Sequence, residues 1–304
     1  MESQLIAELR TMLRGPVSAE EPMAKHTSYR LGGPAEIYVR PQDEEDFIRV
    51  LRLAGERGIP YFILGRGSNI LVGDDGLAGM VISTGDLRGE KWEEGAVRLG
   101  AGSSLGVSAN RAAARGLAGL EFAASIPGTV GGGLVMNAGA HGGELKDVLV
   151  WARVLTCDGL VKKVSPGQLE LGYRRSGIKG YGWVVLEAMF SLVPAVSSEL
   201  VAKMEAFRER RRKIQPTGRT AGSVFKNPPG MAAGRLIEAV GGKGLRVGKA
   251  EVSLLHANFI VAQEGARAED VLQLMEMIRN LVREKTGVAL EPEVEFWGRL
   301  VEIK

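Results

Sequence analysis

Two segments far apart in the chain carry glycine at spacings that would let main chain close on a charged ligand. They are Gly65-Arg66-Gly67-Ser68-Asn69 and Ser125-Ile126-Pro127-Gly128-Thr129-Val130-Gly131-Gly132-Gly133. Glycine has no Cβ to hold a ligand away, and successive N–H groups in such a turn form a nest for an anion such as a pyrophosphate. A helix start is predicted near Thr129, and its open N–H groups and positive dipole end would favour the same anion. Ser68, Asn69, Ser125 and Asn137 add short polar donors. Two such loops suggest a cofactor gripped along its length, although each loop alone fits an ordinary tight turn equally well.

The standard nucleotide fingerprints fail. A Rossmann loop needs a third glycine where Ile70 stands, and an immediately following helix, which is not predicted. A P-loop needs Lys and then Ser or Thr after its last glycine, whereas Leu134 follows Gly133. The single cysteine, Cys157, excludes an intramolecular disulfide, and His26, His141 and His256 are too scattered for a metal-ligand pair. The expectation is a cytoplasmic protein with no metal. A net charge of +3 permits an anionic partner, and the basic run Arg208 to Lys213 is either a solvated helix face or a phosphate contact. Without interleaved aromatics or a reading motif, no nucleic acid is expected. Nor is membrane insertion, because no apolar run approaches the roughly 18 residues a bilayer span needs.

The elements that must position these loops read as mixed α and β. Met1 to Arg14 suggests an amphipathic helix with Leu5, Leu9, Met12 and Leu13 on one stripe rather than a signal peptide. Ala35 to Arg40 alternates like a strand, and Asp43 to Arg57 reads as a helix with Asp43 as its N-cap. Tyr61 to Leu64 is a short strand running straight into the first glycine segment. A strand at Val97 to Leu99 precedes a helix at Ser104 to Arg115. Strands at Val148 to Thr156 and Leu160 to Val164 flank the turn signal Asp158-Gly159. A strand from Val184 ends near Pro194, a junction is expected at 195–198, and a charged helix follows to Lys213. The last third suggests helices at Ala232 to Ala239 and Ala268 to Thr286, with a strand at Asn258 to Ala262.

Both glycine segments resemble the flavin-binding motifs of the UDP-N-acetylenolpyruvoylglucosamine reductase (MurB) family, within the vanillyl-alcohol-oxidase-like (VAO/PCMH-like) FAD-binding fold. The resemblance begins at Thr27-Ser28-Tyr29-Arg30-Leu31-Gly32-Gly33-Pro34-Ala35, continues through Gly65 to Val72, and is strongest from Ser125 to Gly142. It resumes at Tyr173-Arg174-Arg175-Ser176, at Ala221-Gly222-Ser223-Val224-Phe225-Lys226-Asn227-Pro228, and at Leu290-Glu291-Pro292-Glu293-Val294. It implies an α+β chain with a two-lobed FAD-binding domain over residues 1–195 and a smaller α+β substrate-binding domain over 196–304. Little room remains after Arg174 for the tyrosine-bearing loop of longer relatives, so the chain resembles the shorter type. A monomer is expected.

The resemblance implies non-covalent FAD, NADPH as hydride donor, and reduction of UDP-N-acetylenolpyruvoylglucosamine to UDP-N-acetylmuramate. Hydride would pass to enol C3 and a proton to C2. Arg174 matches the arginine that engages the substrate near its carboxylate, Ser223 the proton donor, and Glu293 the glutamate across the reacting alkene. A guanidinium suits the enolate charge that hydride addition creates, and a fixed serine can protonate so basic a carbanion. A carboxylate beside that dianion would be repelled, so Glu293 is expected to work protonated or through a water. Cofactor contacts are expected at Tyr29, Arg30, Gly65, Arg66, Gly67, Ser68, Asn69, Ser125, Ile126, Pro127, Gly128, Thr129, Gly131, Gly132, Asn137 and Gly139. Substrate contacts are expected at Lys213, Asn227 and His256. Another flavoprotein of the superfamily would share the glycine loops but not Ser223 and Glu293 in their motifs. A non-catalytic nucleotide-sugar or nucleic-acid binder would hold no flavin.

Overall fold

The computed structural model describes residues 2–298, so Met1, at the head of the expected first helix, and 299–304, at the end of the expected second domain, lie outside it. The chain divides into two compact units. The first holds the described residues up to Ala19 with Ile37–Arg66 and Gly79–Arg211, and the second holds Glu20–Glu36, Gly67–Ala78 and the described residues from Arg212. The division therefore falls at Arg211 and Arg212 rather than near 195, and two early segments join the C-terminal unit. The reason is apolar: Tyr29, Leu31 and Leu71 are buried in one core with Phe225, Ile237 and Ile278.

In the first unit, α1 (Glu2–Met12) buries Ile6 and Leu9, with Leu5 and Met12 packed at the edge of the same core. Helix α2 (Glu44–Glu56) starts where Asp43 accepts the Asp46 N–H at 3.0 Å. Its apolar face buries Phe47, Val50 and Leu51. A four-stranded sheet runs in the order Val17–Pro22, Pro34–Val39, Leu77–Ser83, Tyr61–Leu64. Tyr61–Leu64 lies parallel to Leu77–Ser83, which delivers Gly65 at a strand end. The five-stranded sheet is antiparallel throughout, in the order Val161–Val164, Leu149–Leu155, Val184–Ser191, Ala96–Gly100, Glu90–Glu93. Asp158-Gly159 turns its first hairpin, with Gly159 at φ +76. Helices α3 (Leu105–Ala114), α4 (Val130–Val135) and α5 (Ser197–Ile214) complete the set.

The strand Leu77–Ser83 has no counterpart among the sequence expectations. It is buried on both faces apart from Ala78, so it lacks alternation, and Gly79 interrupts it. Gly79 sits at φ +88, where a Cβ would fall 2.2 Å from the Pro60 carbonyl oxygen.

The second unit pairs α6 (Ala233–Ala239) and α7 (Ala268–Thr286) with a three-stranded sheet, Arg246–Val247, Ala250–Val252, Ile260–Ala262. Helix α7 buries Val271, Leu274, Met275 and Ile278 along one stripe. Asp74 accepts the N–H groups of Ala268 and Glu269 at 2.9 and 3.2 Å, which satisfies donors that a helix start leaves open. Ile70–Val72 and Glu295–Trp297 form a parallel pair beside this core.

Candidate active site

Gly65, which opens the first glycine segment, meets the second segment inside the first unit. A Cβ on Gly65 would lie 2.7 Å from Thr129 Oγ1, so only glycine lets the strand end approach the second loop. Thr129 itself caps α4, its Oγ1 accepting the Gly132 N–H at 3.3 Å. Gly65, Gly131 and Gly132, with Ile63, Trp183 and Val185, line a cavity of about 80 Å³.

The donors are not those expected. Val130 and Gly131 give their N–H groups to the carbonyls of Ser103 and Ala101 at 2.9 and 2.8 Å, and Gly133 gives its own to Thr129. The start of α4 is thus closed by a turn from another part of the unit, and the open helix end expected near Thr129 is absent. Among the described residues, no protein acceptor meets the backbone N–H of Gly65, Arg66 or Thr129. These three donors flank the cavity's glycines, and they, with its apolar wall, fit part of a dinucleotide. Other glycines serve packing instead. A Cβ on Gly67 would fall 1.9 Å from the His26 carbonyl oxygen, and one on Gly133 would press on Leu105 and Leu145.

Ser125 lies beside His141, with Oγ to Nε2 at 3.5 Å, and its carbonyl accepts from the Arg211 guanidinium. Ile126 and Gly128 carry on the turn through N–H donations to Ala123 and Ile126, while Pro127 is exposed. His141 stacks on Phe207 at 4.0 Å. Burial, then the charges of Arg210 and Arg211, push the His141 pKa down. The basic run therefore splits. Arg211 turns onto the Ser125 loop and burial lowers its pKa, while Lys213 is exposed.

Arg174 sits in a two-residue turn. Gly172 and Arg175 exchange N–H···O bonds of 3.0 and 3.2 Å across it, and Arg174 takes φ +52, a left-handed conformation that costs a side-chain-bearing residue energy. Its Nη2 donates to the Gly139 carbonyl at 3.1 Å, and its Cζ lies 5.3 Å from the Tyr173 ring. Asn137 holds this turn. Its Nδ2 donates to the Gly172 carbonyl at 3.0 Å and to Glu144 at 2.8 Å, and its Oδ1 accepts the Lys146 N–H at 3.0 Å. Asn137 is fully buried, so the side chain expected to donate to a cofactor is committed to protein partners.

In the second unit, Ser223, Val224 and Phe225 form an extended segment between two others. On one side Ser223 bridges Phe259; on the other Phe225 bridges Pro292, and Glu293 donates its N–H to the Val224 carbonyl at 2.9 Å. Ser223 and Glu293 are thus on adjacent extended segments. Asn69 ties in the same neighbourhood, its Nδ2 donating to the Glu293 carbonyl at 2.9 Å while its own carbonyl accepts the Glu295 N–H.

Tyr29 is wholly buried beside Phe225, with its hydroxyl near Thr220 and Ala221 but in no hydrogen bond of normal geometry. Burial drives its pKa upward, and its ring belongs to the core rather than to a ligand surface. Arg30 is exposed at φ +54, in a turn closed by its N–H to the Thr27 carbonyl, and Gly67 accepts from Ser28. Asn227 Oδ1 accepts the Ala233 N–H at 3.0 Å, at the start of α6. His256 Nδ1 accepts the Asn258 N–H at 3.2 Å, and burial lowers the ring's pKa, so the neutral ring carries its proton on Nε2.

Comparison with known proteins adds to this geometry. Residues 35–165 match the FAD binding domain model, and 215–297 match the C-terminal domain model of UDP-N-acetylenolpyruvoylglucosamine reductase. The UDP-N-acetylenolpyruvoylglucosamine reductase 2 of Symbiobacterium thermophilum is 47% identical over 300 residues, covering 97% of either chain. The chain belongs to the UDP-N-acetylenolpyruvoylglucosamine reductase family. A second such reductase, from Rubrobacter xylanophilus, is 46% identical over 281 residues, covering 92% of this chain and 94% of its own. The crystal structure of the reductase from Thermus caldophilus matches with a TM-score of 0.80 and 36% identity, over 94% of this chain and 100% of that one. The α+β fold of a FAD-binding domain with a smaller C-terminal domain is therefore that of the reductase family. Among the described residues no helix is long and apolar enough to cross a membrane.

Sequence reasoning missed the Ala101–Ser103 turn and the buried Asn258, and it counted Arg211 only within the basic run. None lies in a motif that announces a site, because each acts through partners distant in the chain.

Proposed function

We propose that this chain catalyses the NADPH-dependent reduction of UDP-N-acetylenolpyruvoylglucosamine to UDP-N-acetylmuramate for peptidoglycan precursor synthesis, as a cytoplasmic monomer. Family membership supports the reaction, and the observation that carries the assignment of residues is the placement of Ser223 and Glu293 on adjacent segments through the Glu293–Val224 bond. FAD bound here without a covalent bond, once reduced by NADPH, would supply the hydride for enol C3. Gly65, Arg66 and Thr129 would offer it open N–H groups, with Ser125 to Gly128, Gly131, Gly132 and Gly139 around them.

Arg174 receives the substrate carboxylate. Its guanidinium is fixed in advance by the tight turn and the Gly139 carbonyl, so it meets developing enolate charge without reorganising. Ser223 donates its hydroxyl proton to C2, which is basic enough to take it only after hydride has added at C3. Glu293 works protonated or through a water, because a bare carboxylate would repel the enolate. Lys213 meets the diphosphate, Asn227 the nucleotide, and His256 donates from Nε2 as a neutral ring.

The purified protein is expected to be yellow, to bleach with NADPH, and to recover its colour when the enolpyruvyl sugar nucleotide is added. Protein that stayed colourless after reconstitution with FAD, or that did not recover colour with that substrate, would overturn the assignment.

A further inference from the structure

We propose that Asn258 is a positioning residue for Ser223, its buried carboxamide setting the path of the segment that presents the serine hydroxyl. The proposal rests on the reading of Ser223 as proton donor. Asn258 is 3% exposed, and its side chain makes both of its bonds to one residue. Nδ2 donates to the Phe225 carbonyl at 2.8 Å, and Oδ1 accepts the Phe225 N–H at 3.0 Å. The carboxamide copies a peptide group across a strand pair. The Asn258 main-chain carbonyl accepts the Val224 N–H at 2.9 Å, so one residue grips the three consecutive peptide groups directly after Ser223.

The segment needs this grip because ordinary sheet pairing does not hold it. Its contacts at Ser223–Phe259 and Phe225–Pro292 are single bridges, not continuous ladders. Gly222, just before Ser223, takes φ +86, where the chain bends into the segment. Phe225 is fully buried, so neither of its peptide groups has water as an alternative partner. Asn258 is itself braced, since its N–H donates to His256 Nδ1, and Gly234 leaves the ring room: a Cβ there would lie 3.1 Å from His256 Cε1. Without the carboxamide the peptides at 224–225 would turn toward other partners, and Ser223 would swing with them. Proton transfer to carbon is sensitive to such displacement, whereas flavin reduction by NADPH does not use the serine.

The test uses flavin-loaded enzyme carrying Asn258→Asp, which keeps the acceptor and loses the donor, or Asn258→Ser, which leaves space for a bridging water. Rapid mixing reads the two half-reactions separately. Flavin reduction by NADPH should stay within about twofold of wild type, and reoxidation by the enolpyruvyl substrate should slow about tenfold or more. Adding either change to Ser223→Ala should slow reoxidation no further than Ser223→Ala alone, as expected of two residues acting through one group. Wild-type reoxidation in both variants, additive losses in the double variants, or equal loss of both half-reactions would overturn the role of Asn258. Unimpaired reoxidation in Ser223→Ala alone would instead overturn the reading of the serine.

Discussion

Two buried asparagines do comparable work in different settings. In the first unit, Asn137 steadies a turn whose critical residue, Arg174, is bent into a left-handed conformation. In the second, Asn258 steadies an extended segment with no such strain at Ser223. A cation that must be present before charge develops is held on a strained, over-determined turn. A proton donor that acts afterwards is held on a flat segment by a substitute peptide group. The contrast teaches that the two jobs call for different local stiffness: Arg174 is locked by its backbone, and Ser223 by its neighbour.

The contrast can be broken most severely at Arg174. Arg174→Gly relieves the left-handed backbone while removing the guanidinium, so turnover should fall about a hundredfold or more with the melting temperature unchanged or raised. A variant that lost stability along with activity would show that Arg174 is not strained, and the contrast would fail. Asn137→Ala comes next. It removes the three hydrogen bonds that a fully buried side chain makes to Gly172, Glu144 and the Lys146 N–H, and should cost about 3 kcal/mol in denaturant unfolding. A cost under about 1 kcal/mol would mean that the turn does not depend on it.

The smallest effect concerns acid stability of the first unit, away from either asparagine. Burial alone would raise the Asp46 pKa, but N–H donors from Arg14, Gln42 and Gly15 and the Arg14 guanidinium outweigh it and hold the carboxyl below its ordinary value. The folded pKa being the lower one, the stabilisation is full above the unfolded value of about 3.9 and is lost as pH falls through the folded value. Asp46→Asn should therefore be less stable at neutral pH and show a flatter loss of stability below about pH 4. An unchanged acid limb in a pH series of unfolding midpoints would remove Asp46 as its cause.

What was legible in the sequence follows the range of the interactions. Helix α7, helix α2 with its Asp43 cap and the Asp158-Gly159 hairpin are set by neighbours a few residues apart, and the sequence pattern announces each. Leu77–Ser83 was not legible, because a strand buried on both faces has no alternation to read. The closed start of α4 was not legible either, since the carbonyls of Ala101 and Ser103 arrive from another part of the unit. Nor does any local signal send Tyr29 and Leu71 into the core built by the C-terminal third. The site residues were legible only through motif order. Arg174, Ser223 and Glu293 look, one at a time, like a surface cation, a turn serine and a strand-edge acid.

The central claim, that Ser223 protonates the carbon after hydride has arrived, is tested most directly by rapid mixing of Ser223→Ala. NADPH should bleach the variant's flavin at the wild-type rate, and the enolpyruvyl substrate should then reoxidise it about a thousandfold more slowly or not at all. Reoxidation at the wild-type rate would contradict the account.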